Sequence, residues 1–502
     1  MMKGFDSINN DGERHKLANA LILSVIFLIA ELILVSFHEF WRDEVEDWAL
    51  TFNSHSVSEL FHLTRYDAQG KLWYLLLYEW QFLTSNIASM KILHIILAAI
   101  STFVFCYFSP LKRFLNILIC FGYFFAYEYS IMSRNYILEL LFLFLGVGIY
   151  LKYKGRHLLL VSICIFLLFQ TNVYGIIIGN LWYGFLIFKL INTQTIKPIK
   201  LIASISIILL GLFIAIYFII PPSDARFNHA VDWRPKYDVL INTINTIYTA
   251  YIPFPQLKVE FWNTNITDGL PSFQVIQFLL SALLLVAVTK LFYRNKKVLL
   301  LFYSATIGLL LFCYFKYFGY QRHHGQLFVL FILCYWLYIG EDKGSASSNG
   351  HNLGLLNKYF VSGILFIHLS VTVVAAYHEI NYPFSNAVKV ADYLKKEGLD
   401  ELNMAGDEYT AAAVAGIMDK EIYYPQTKRS GKYMILDDAK EWLPEQGIID
   451  KSYEHFAPMK EDFLLLMNNP IAPMPGNYQL LASFDHAIVG DENFYIYRVK
   501  PN

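Results

Sequence analysis

The chain has 502 residues, of which 56% are hydrophobic, 17% aromatic and only 16% charged, and its formal net charge at pH 7 is −1. A typical soluble domain carries about 25% charged residues, so this composition excludes a soluble globular protein and indicates a polytopic helical membrane protein. A net charge near zero also makes nucleic acid an unexpected partner.

The first apolar run extends from Leu17 to Phe37. It has about 20 residues, which is enough to cross ~30 Å of hydrocarbon as a helix. Lys3, Arg14 and Lys16 precede this run, so the positive-inside rule predicts a cytoplasmic N-terminus. The acidic, aromatic-flanked segment Phe40 to Trp48 then lies at the outer membrane surface, where charge is costly and by default indicates a functional site.

The aromatic-rich segment Leu72 to Leu83 is too short to span comfortably, so it is predicted to be an interfacial helix within the first external loop. The later apolar runs alternate across the membrane and give about eleven spans in all. A long external loop is predicted at 221–272. The later spans are 88–108, 114–129, 136–151, 158–170, 175–190, 201–220, 273–292, 298–315, 327–339 and 359–377.

The remainder of the chain is polar and is predicted to form a small external α/β domain. Helical periodicity covers Val388–Lys396 and Ala411–Met418. Three short strands and a closing hairpin are predicted at Leu402–Ala405, Ile422–Tyr424 and Tyr433–Leu436, and at Tyr478–Phe484 with Asn493–Val499. The chain therefore divides into a transmembrane domain, residues 1–378 with the first external loop at 38–88, and a soluble extracytoplasmic domain, residues 379–502.

This topology places five polar clusters on the external face. Each cluster alone would also suit a solvated loop end. Together they supply the groups that transfer from a phosphate-linked carrier requires: a carboxylate to take the proton of the acceptor, and cations to stabilise the departing phosphate. The aromatic interfacial helix would face a lipid carrier and a sugar ring. The clusters are Arg42 to Glu44, Asp67 to Lys71, Ser133 to Tyr136, Gln170 to Gly175 and Gln321 to Gly325.

In this order the motifs resemble those of GT-C glycosyltransferases, a superfamily that includes protein O-mannosyltransferases and the lipid A aminoarabinose transferase. Trp41 to Glu44 is similar to the Asp-Glu motif of the first external loop in that superfamily. Tyr66 to Leu76 is similar to its second acidic motif, and Tyr127 to Tyr136 and Thr171 to Gly175 resemble later motifs of bacterial members. The resemblance covers roughly residues 17–325.

The resemblance implies an inverting glycosyltransferase of a bacterial cytoplasmic (inner) membrane. Such an enzyme moves a sugar from a polyprenyl-phosphate-linked lipid donor to an extracytoplasmic glycan, lipid or protein. Asp43 would be the catalytic base with Glu44 beside it. The residues assigned to donor and phosphate binding are Arg42, Asp67, Lys71, Arg134, Tyr136, Asn172, Tyr174, Arg322, His323 and His324.

Metal use is left open by the resemblance, because some relatives use a divalent ion and others need none. Asp43, Glu44 and Asp67 could contribute oxygen ligands to such an ion. The soluble domain contains no cysteine and no Gly-rich phosphate loop. It is therefore predicted to recognise the acceptor or to stabilise the protein, and not to catalyse.

The sequence departs from the GT-C pattern at Gln69-Gly70-Lys71, where the family usually has a basic residue or His followed by two prolines. Lys71 would restore the cation two residues later. Otherwise donor handling has changed or activity is lost. The alternatives are a membrane transporter or lipid flippase, and a non-catalytic scaffold of envelope polysaccharide assembly. A transporter would favour broken helices at mid-membrane and paired repeats, and neither is evident in the sequence.

Overall fold

The computed structural model describes residues 2–192, 197–226, 237–342 and 357–501. Within these ranges the regular elements as far as Asn381 are helices, and a mixed sheet with three α-helices follows. Nine of the described helices are long and apolar enough to cross a membrane. The protein is therefore a polytopic helical membrane protein with a small C-terminal α/β domain.

In chain order, the helices of the membrane part are α1 (Met2–Val35), α2 (Arg42–Phe52), α3 (Val57–Leu63), α4 (Leu72–Gln81), α5 (Ser89–Phe108), α6 (Arg113–Cys120), α7 (Tyr136–Tyr153), α8 (Leu158–Phe169), α9 (Val173–Asn192), α10 (Pro198–Ile219), α11 (Tyr237–Tyr251), α12 (Phe273–Phe292), α13 (Lys296–Phe315), α14 (Gln321–Asp342) and α15 (Ser362–Asn381).

All eleven predicted spans contain helix, but two of them are not long continuous helices. α8 has 12 residues, about 18 Å at 1.5 Å per residue, which is shorter than the hydrocarbon layer. The run at 114–129 divides into α6 and a π-helical segment, Phe124–Glu128. The predicted long loop at 221–272 is also wrong in part, because it contains α11, which packs against α12 and α14.

The first loop of the membrane part is mainly helical. α2 begins at Arg42 because Glu44, in its first turn, accepts a hydrogen bond from the backbone N–H of Trp41 at 3.3 Å. α4 has only ten residues, so it is too short to span, as predicted. It buries Trp73 and Tyr74 against the rest of the loop, and α2 packs on it.

The α/β domain begins after α15, whose last turn contains the predicted boundary at 378/379. Its sheet has the order β3-β2-β1-β4-β6-β5, with β2, β1 and β4 parallel and the other pairs antiparallel. The elements are α16 (Ala387–Lys396), β1 (Asn403–Gly406), α17 (Glu408–Met418), β2 (Ile422–Tyr424), β3 (Arg429–Gly431), α18 (Glu445–Phe456), β4 (Phe463–Met467), β5 (Tyr478–Phe484) and β6 (Phe494–Val499).

Most of the predicted elements of this domain are present. β2 has the predicted bounds, and β5 and β6 form the predicted antiparallel hairpin. The strand predicted at Tyr433–Leu436 is wrong, because β2 pairs instead with the shorter strand β3. The sequence prediction also lacked α18 and β4. β4 is a run of five buried residues with no polar alternation to identify it as a strand.

The central strands of the sheet are buried on both faces, and one of these faces packs on the membrane part. Met404 and Leu464 point into the core that the domain shares with the helices, and Ala405 and Leu465 pack with α18 on the other face. α17 packs directly on α2. The approach is so close that a Cβ at Gly416 would lie 2.6 Å from a methyl carbon of Val45.

Gly70→Ala should destabilise the protein by about 1–3 kcal/mol, the usual cost of overpacking. A Cβ at Gly70 would overlap the backbone carbonyl of Gln170, to which the backbone N–H of Leu72 also donates at 3.2 Å. Thermal unfolding of the purified protein measures the effect. Gly476→Ala is the control, since its Cβ would meet nothing within 4 Å. Equal unfolding temperatures for both variants would contradict the close approach.

Candidate active site

All five predicted polar clusters meet at one end of the helix bundle. Arg322 contacts the carboxylate of Asp43 at 3.1 Å, which joins the start of α14 to α2. The side-chain amide of Asn135 donates to Gln69 at 2.9 Å and to the carbonyl of Thr171 at 3.0 Å. These contacts bring together segments that are far apart in the chain, as the predicted topology requires.

Asp43 lies in the first turn of α2, where the positive end of the helix dipole favours a negative charge. Its Oδ2 accepts a hydrogen bond from Nη2 of Arg322, and its backbone carbonyl accepts one from Nη1 of Arg134. The side chain is nevertheless 27% exposed. One oxygen of the Asp43 carboxylate is thus fixed by Arg322, and the side chain remains accessible from solvent.

Glu44 is completely buried and has a different environment. One oxygen accepts a hydrogen bond from the backbone N–H of Ser133 at 2.6 Å, and the other contacts Nε2 of His38 at 3.0 Å. The other ring nitrogen of His38 contacts Glu379 at 3.1 Å. Since both of its oxygens already accept hydrogen bonds, Glu44 is placed to hold the loop and not to meet a substrate.

The pKa values of this buried pair favour its charged form. Burial disfavours a charged His38, but the carboxylates of Glu44 and Glu379 outweigh this effect and raise the pKa of His38 to about 9. Burial also opposes ionisation of Glu44, but His38 keeps the pKa of Glu44 below its ordinary value. At neutral pH a protonated His38 therefore joins the start of the first loop to α15.

The guanidinium groups of Arg134 and Arg322 both donate to Asp43, the first to its backbone carbonyl and the second to its carboxylate, and each keeps a free donor. Arg134 pairs with Asp47 at 3.0 Å, and its Nε is buried without a hydrogen-bond partner among the described residues. Nη1 of Arg322 is likewise buried and unpartnered in the described part of the chain. A buried, unpaired N–H on a charged group costs more than about 1–3 kcal/mol, so both donors favour an incoming acceptor.

Aromatic rings pack around Arg322 and around the neighbouring His323. The guanidinium carbon of Arg322 lies 5.0 Å from the ring centroid of Trp41 and 5.5 Å from that of Trp262. The rings of Tyr136 and Tyr174 pack around His323 at centroid distances of 6.0 and 5.7 Å. The hydroxyl of Tyr174 is also buried with no partner among the described residues.

Asp47 and Trp262 are missing from the predicted site. Asp47 accepts hydrogen bonds from Arg134 and, at 3.1 Å, from the indole of Trp73. Burial raises the pKa of Asp47 to about 7, although Arg134 opposes the rise. The spacing of four residues from Asp43 could have identified Asp47, since positions i and i+4 share one face of a helix. Trp262 lies in a loop whose sequence carries no comparable signal.

The segment that departs from the GT-C pattern lies beside this group. Asp67 accepts a hydrogen bond from the hydroxyl of Tyr74 at 2.6 Å. Lys71 is buried and donates to the backbone carbonyl of Thr64 at 2.6 Å. Burial lowers the pKa of Lys71 to about 8, although Asp67 and Asp47 oppose the change. The charge of Lys71 is therefore within the site, while its hydrogen bond holds the loop.

Three other predicted donor-binding residues make structural contacts. The side-chain oxygen of Asn172 accepts the backbone N–H of Gly175 at 2.9 Å, so it caps the start of α9. His324 contacts the carbonyl of Phe318 at 3.1 Å. The side chain of Arg42 turns towards the α/β domain, where it pairs with Asp491 at 2.7 Å.

The predicted acidic residues do not fit a divalent ion. Glu44 has no free oxygen, and one oxygen each of Asp43 and Asp67 is engaged by Arg322 and Tyr74. In the parts of the chain that the structure describes, no group of three His, Cys, Asp or Glu side chains is arranged to hold a metal. The roles proposed below for these acids are in proton transfer and hydrogen bonding.

Comparison with known proteins shows a likeness in architecture to solved structures. No protein-family model and no curated protein matches the chain. Among solved structures, the chain is similar to ArnT from Cupriavidus metallidurans bound to undecaprenyl phosphate, with 10% sequence identity, a TM-score of 0.47, and coverage of 94% of this chain and 97% of that one. The apo state of ArnT gives the same identity and coverage with a TM-score of 0.46. No residue is assigned a role from this likeness.

His38→Gln should reduce the loss of thermal stability that occurs when the pH is raised into the alkaline range. The pKa of His38 is about 9 in the folded protein and 6.5 ordinarily, so its stabilising charge is complete below about pH 6.5 and is lost as the pH rises through 9. Wild type should lose thermal stability between pH 7 and 10, and His38→Gln should lose less. His62→Gln, an exposed change in the same loop, is the control. Parallel pH curves for all three proteins would refute the buried charge.

Proposed function

We propose that the protein is an inverting glycosyltransferase that uses a polyprenyl-phosphate-linked sugar donor and an extracytoplasmic acceptor. The observation that carries this proposal is the pair of buried arginines beside Asp43, each with an N–H that lacks a partner among the described residues. A phosphate group provides the charged oxygen acceptors that such guanidinium groups bind best. Because the pair lies at one end of a bundle of membrane-crossing helices, a lipid-linked phosphate is favoured over a soluble one.

In the proposed reaction, the open oxygen of Asp43 takes the proton of an acceptor hydroxyl. The acceptor oxygen then forms a bond to the anomeric carbon from the face opposite the phosphate. The bond from that carbon to the phosphate oxygen breaks, and its electron pair leaves with the polyprenyl phosphate. A single displacement of this kind inverts the anomeric centre.

Arg134 and Arg322 would stabilise the charge that develops on the departing phosphate. Both groups are held in advance, Arg134 by Asp47 and Arg322 by Asp43, so little reorganisation is needed during the reaction. Trp41 and Trp262 pack on Arg322, and the buried hydroxyl of Tyr174, which has no partner among the described residues, is a further donor that a substrate could engage. Glu44 would act by positioning the loop.

The cellular setting belongs to the same proposal. The membrane part, residues 1–378, would catalyse in a bacterial cytoplasmic membrane, and the N-terminus would face the cytoplasm. The end of the bundle that contains Asp43 would face outwards, together with the α/β domain at 379–502. The contact between α2 and α17 supports this arrangement, because it places the domain at the same end as Asp43.

Asp43→Asn should reduce transfer by about 10²–10⁴-fold, the usual contribution of a general base. Asparagine keeps the shape of the side chain but cannot accept the proton. The assay offers the protein a panel of radiolabelled polyprenyl-phosphate sugars and measures the label that becomes attached to cell-envelope fractions. Asp392→Asn, the same exchange at an exposed position on α16, is the control. Near-normal turnover by Asp43→Asn would remove Asp43 from the mechanism.

Arg322→Lys and Arg134→Lys should each weaken binding of polyprenyl phosphate by about 10–100-fold, since a hydrogen bond to a charged group contributes about 1.5–3 kcal/mol. Lysine keeps the charge but loses the planar fork of donors. Native mass spectrometry with polyprenyl phosphate as the probe gives the affinities. Arg498→Lys, which changes an ion pair of the α/β domain with Asp462, is the matched control. Wild-type affinity in both site variants would exclude phosphate binding at this arginine pair.

A further inference from the structure

The α/β domain contains a cleft of about 220 Å³ at the carboxyl ends of β1 and β4. Asp407 directly follows β1, and Asn468 directly follows β4. The chain passes from β1 to β2 on one side and returns to β4 on the other, so the order of the sheet reverses between these two parallel strands. Open α/β sheets bind their ligands at this position.

The walls of the cleft combine polar side chains with the apolar side chains of Leu443, Ile448 and Met467, and no basic side chain is among the residues that line it. Three carboxylates line it and Arg42 pairs with only one of them, Asp491, so the remaining negative charge disfavours a phosphate or another anion. Hydroxyl and amino groups, in contrast, would find hydrogen-bond acceptors at several points. The polar lining residues that carry this argument are Asp407, Thr410, Glu445, Asn468, Asn469 and Asp491.

A large aromatic side chain lies beside these polar groups in the chain. Trp442 precedes the lining residue Leu443 and is 82% exposed. An indole in this position combines an apolar face with one hydrogen-bond donor. A sugar ring has the complementary surface, since its C–H face is apolar and its hydroxyl groups point outwards. The volume is below the ~300 Å³ of typical drug-sized pockets and suits one small ring.

The cleft is joined to the candidate active site through a single residue. Asp491 lines the cleft and pairs with the guanidinium of Arg42 at 2.7 Å. Its neighbour Glu492 accepts the backbone N–H of Arg42 at 3.2 Å. Arg42 immediately precedes Asp43. Asp491 therefore connects the cleft to the residue that precedes the proposed base.

We propose that this cleft binds a neutral or amino sugar of the acceptor, which makes the acceptor a glycan or a glycolipid. The assignment of the bound sugar to the acceptor rests on the proposed glycosyltransferase function. The capacity of the cleft to bind a sugar rests on the cleft alone. The donor phosphate is excluded from this cleft by its carboxylates and is left to the arginine pair.

Saturation-transfer NMR on the full-length protein in nanodiscs tests the sugar site, with glucose, N-acetylglucosamine and glucosamine as separate probes. At least one probe should bind wild type. Glu445→Gln and Asn469→Ala should each weaken that binding by about tenfold, the loss expected for one hydrogen bond in a charged site. Glu454→Gln, an exposed change on the same helix that lies outside the cleft lining, should leave it unchanged.

Absence of binding by all three probes would overturn the inference, as would equal binding by the cleft variants and the control. Stronger binding of inorganic phosphate than of any sugar would overturn it as well. Asp43→Asn should bind sugar as wild type does. If sugar binding follows these expectations while no transfer is ever detected, the sugar site stands and the proposed transferase function fails. If transfer is detected but the cleft variants bind sugar as the control does, the transferase function stands and the cleft is not the acceptor site.

Once transfer is measurable, Glu445→Gln should raise the KM for a glycan acceptor and leave kcat close to that of Glu454→Gln. A glycan acceptor whose KM is the same in both variants would contradict the assignment of the cleft to the acceptor.

Discussion

The end of the helix bundle depends on a protonated His38 held between Glu44 and Glu379. This buried arrangement joins the turn after α1, the first turn of α2 and the end of α15. Glu44 extends it to a fourth segment by accepting the backbone N–H of Ser133. Because a buried carboxylate without a partner is costly, these segments are held in one arrangement. Asp43 and Arg134, which adjoin Glu44 and Ser133 in the chain, are thereby held at the same place.

α2 serves two surfaces at once. Asp43 and Asp47 lie four residues apart and face the two arginines. The side of the helix that includes Val45 packs against α17, and the carboxylate of Glu46 accepts the backbone N–H of Met434 at 3.1 Å. A single helix therefore carries the proposed base and the docking surface of the α/β domain. This gives a physical reason for the domain to influence events at Asp43 without contributing a catalytic group.

The sequence allows prediction of the features that depend on local pattern. Apolar runs identified the helices, and charges beside those runs identified the clusters that meet at Asp43. The role of Glu44 is less predictable, because it is set by His38, Ser133 and Glu379, the last two of which are remote in the chain. Local pattern also fails where tertiary contact decides, as with the pairing of β3 with β2 and the approach of Trp262 to Arg322.

The central claim is that the arginine pair beside Asp43 binds the phosphate of a lipid carrier. An experimental structure of the protein with polyprenyl phosphate tests it most directly. The account predicts phosphate oxygens within about 2.7–3.2 Å of Nη1 of Arg322 and of Nε of Arg134. A phosphate bound elsewhere, with both of these nitrogens still unpartnered, would contradict the account.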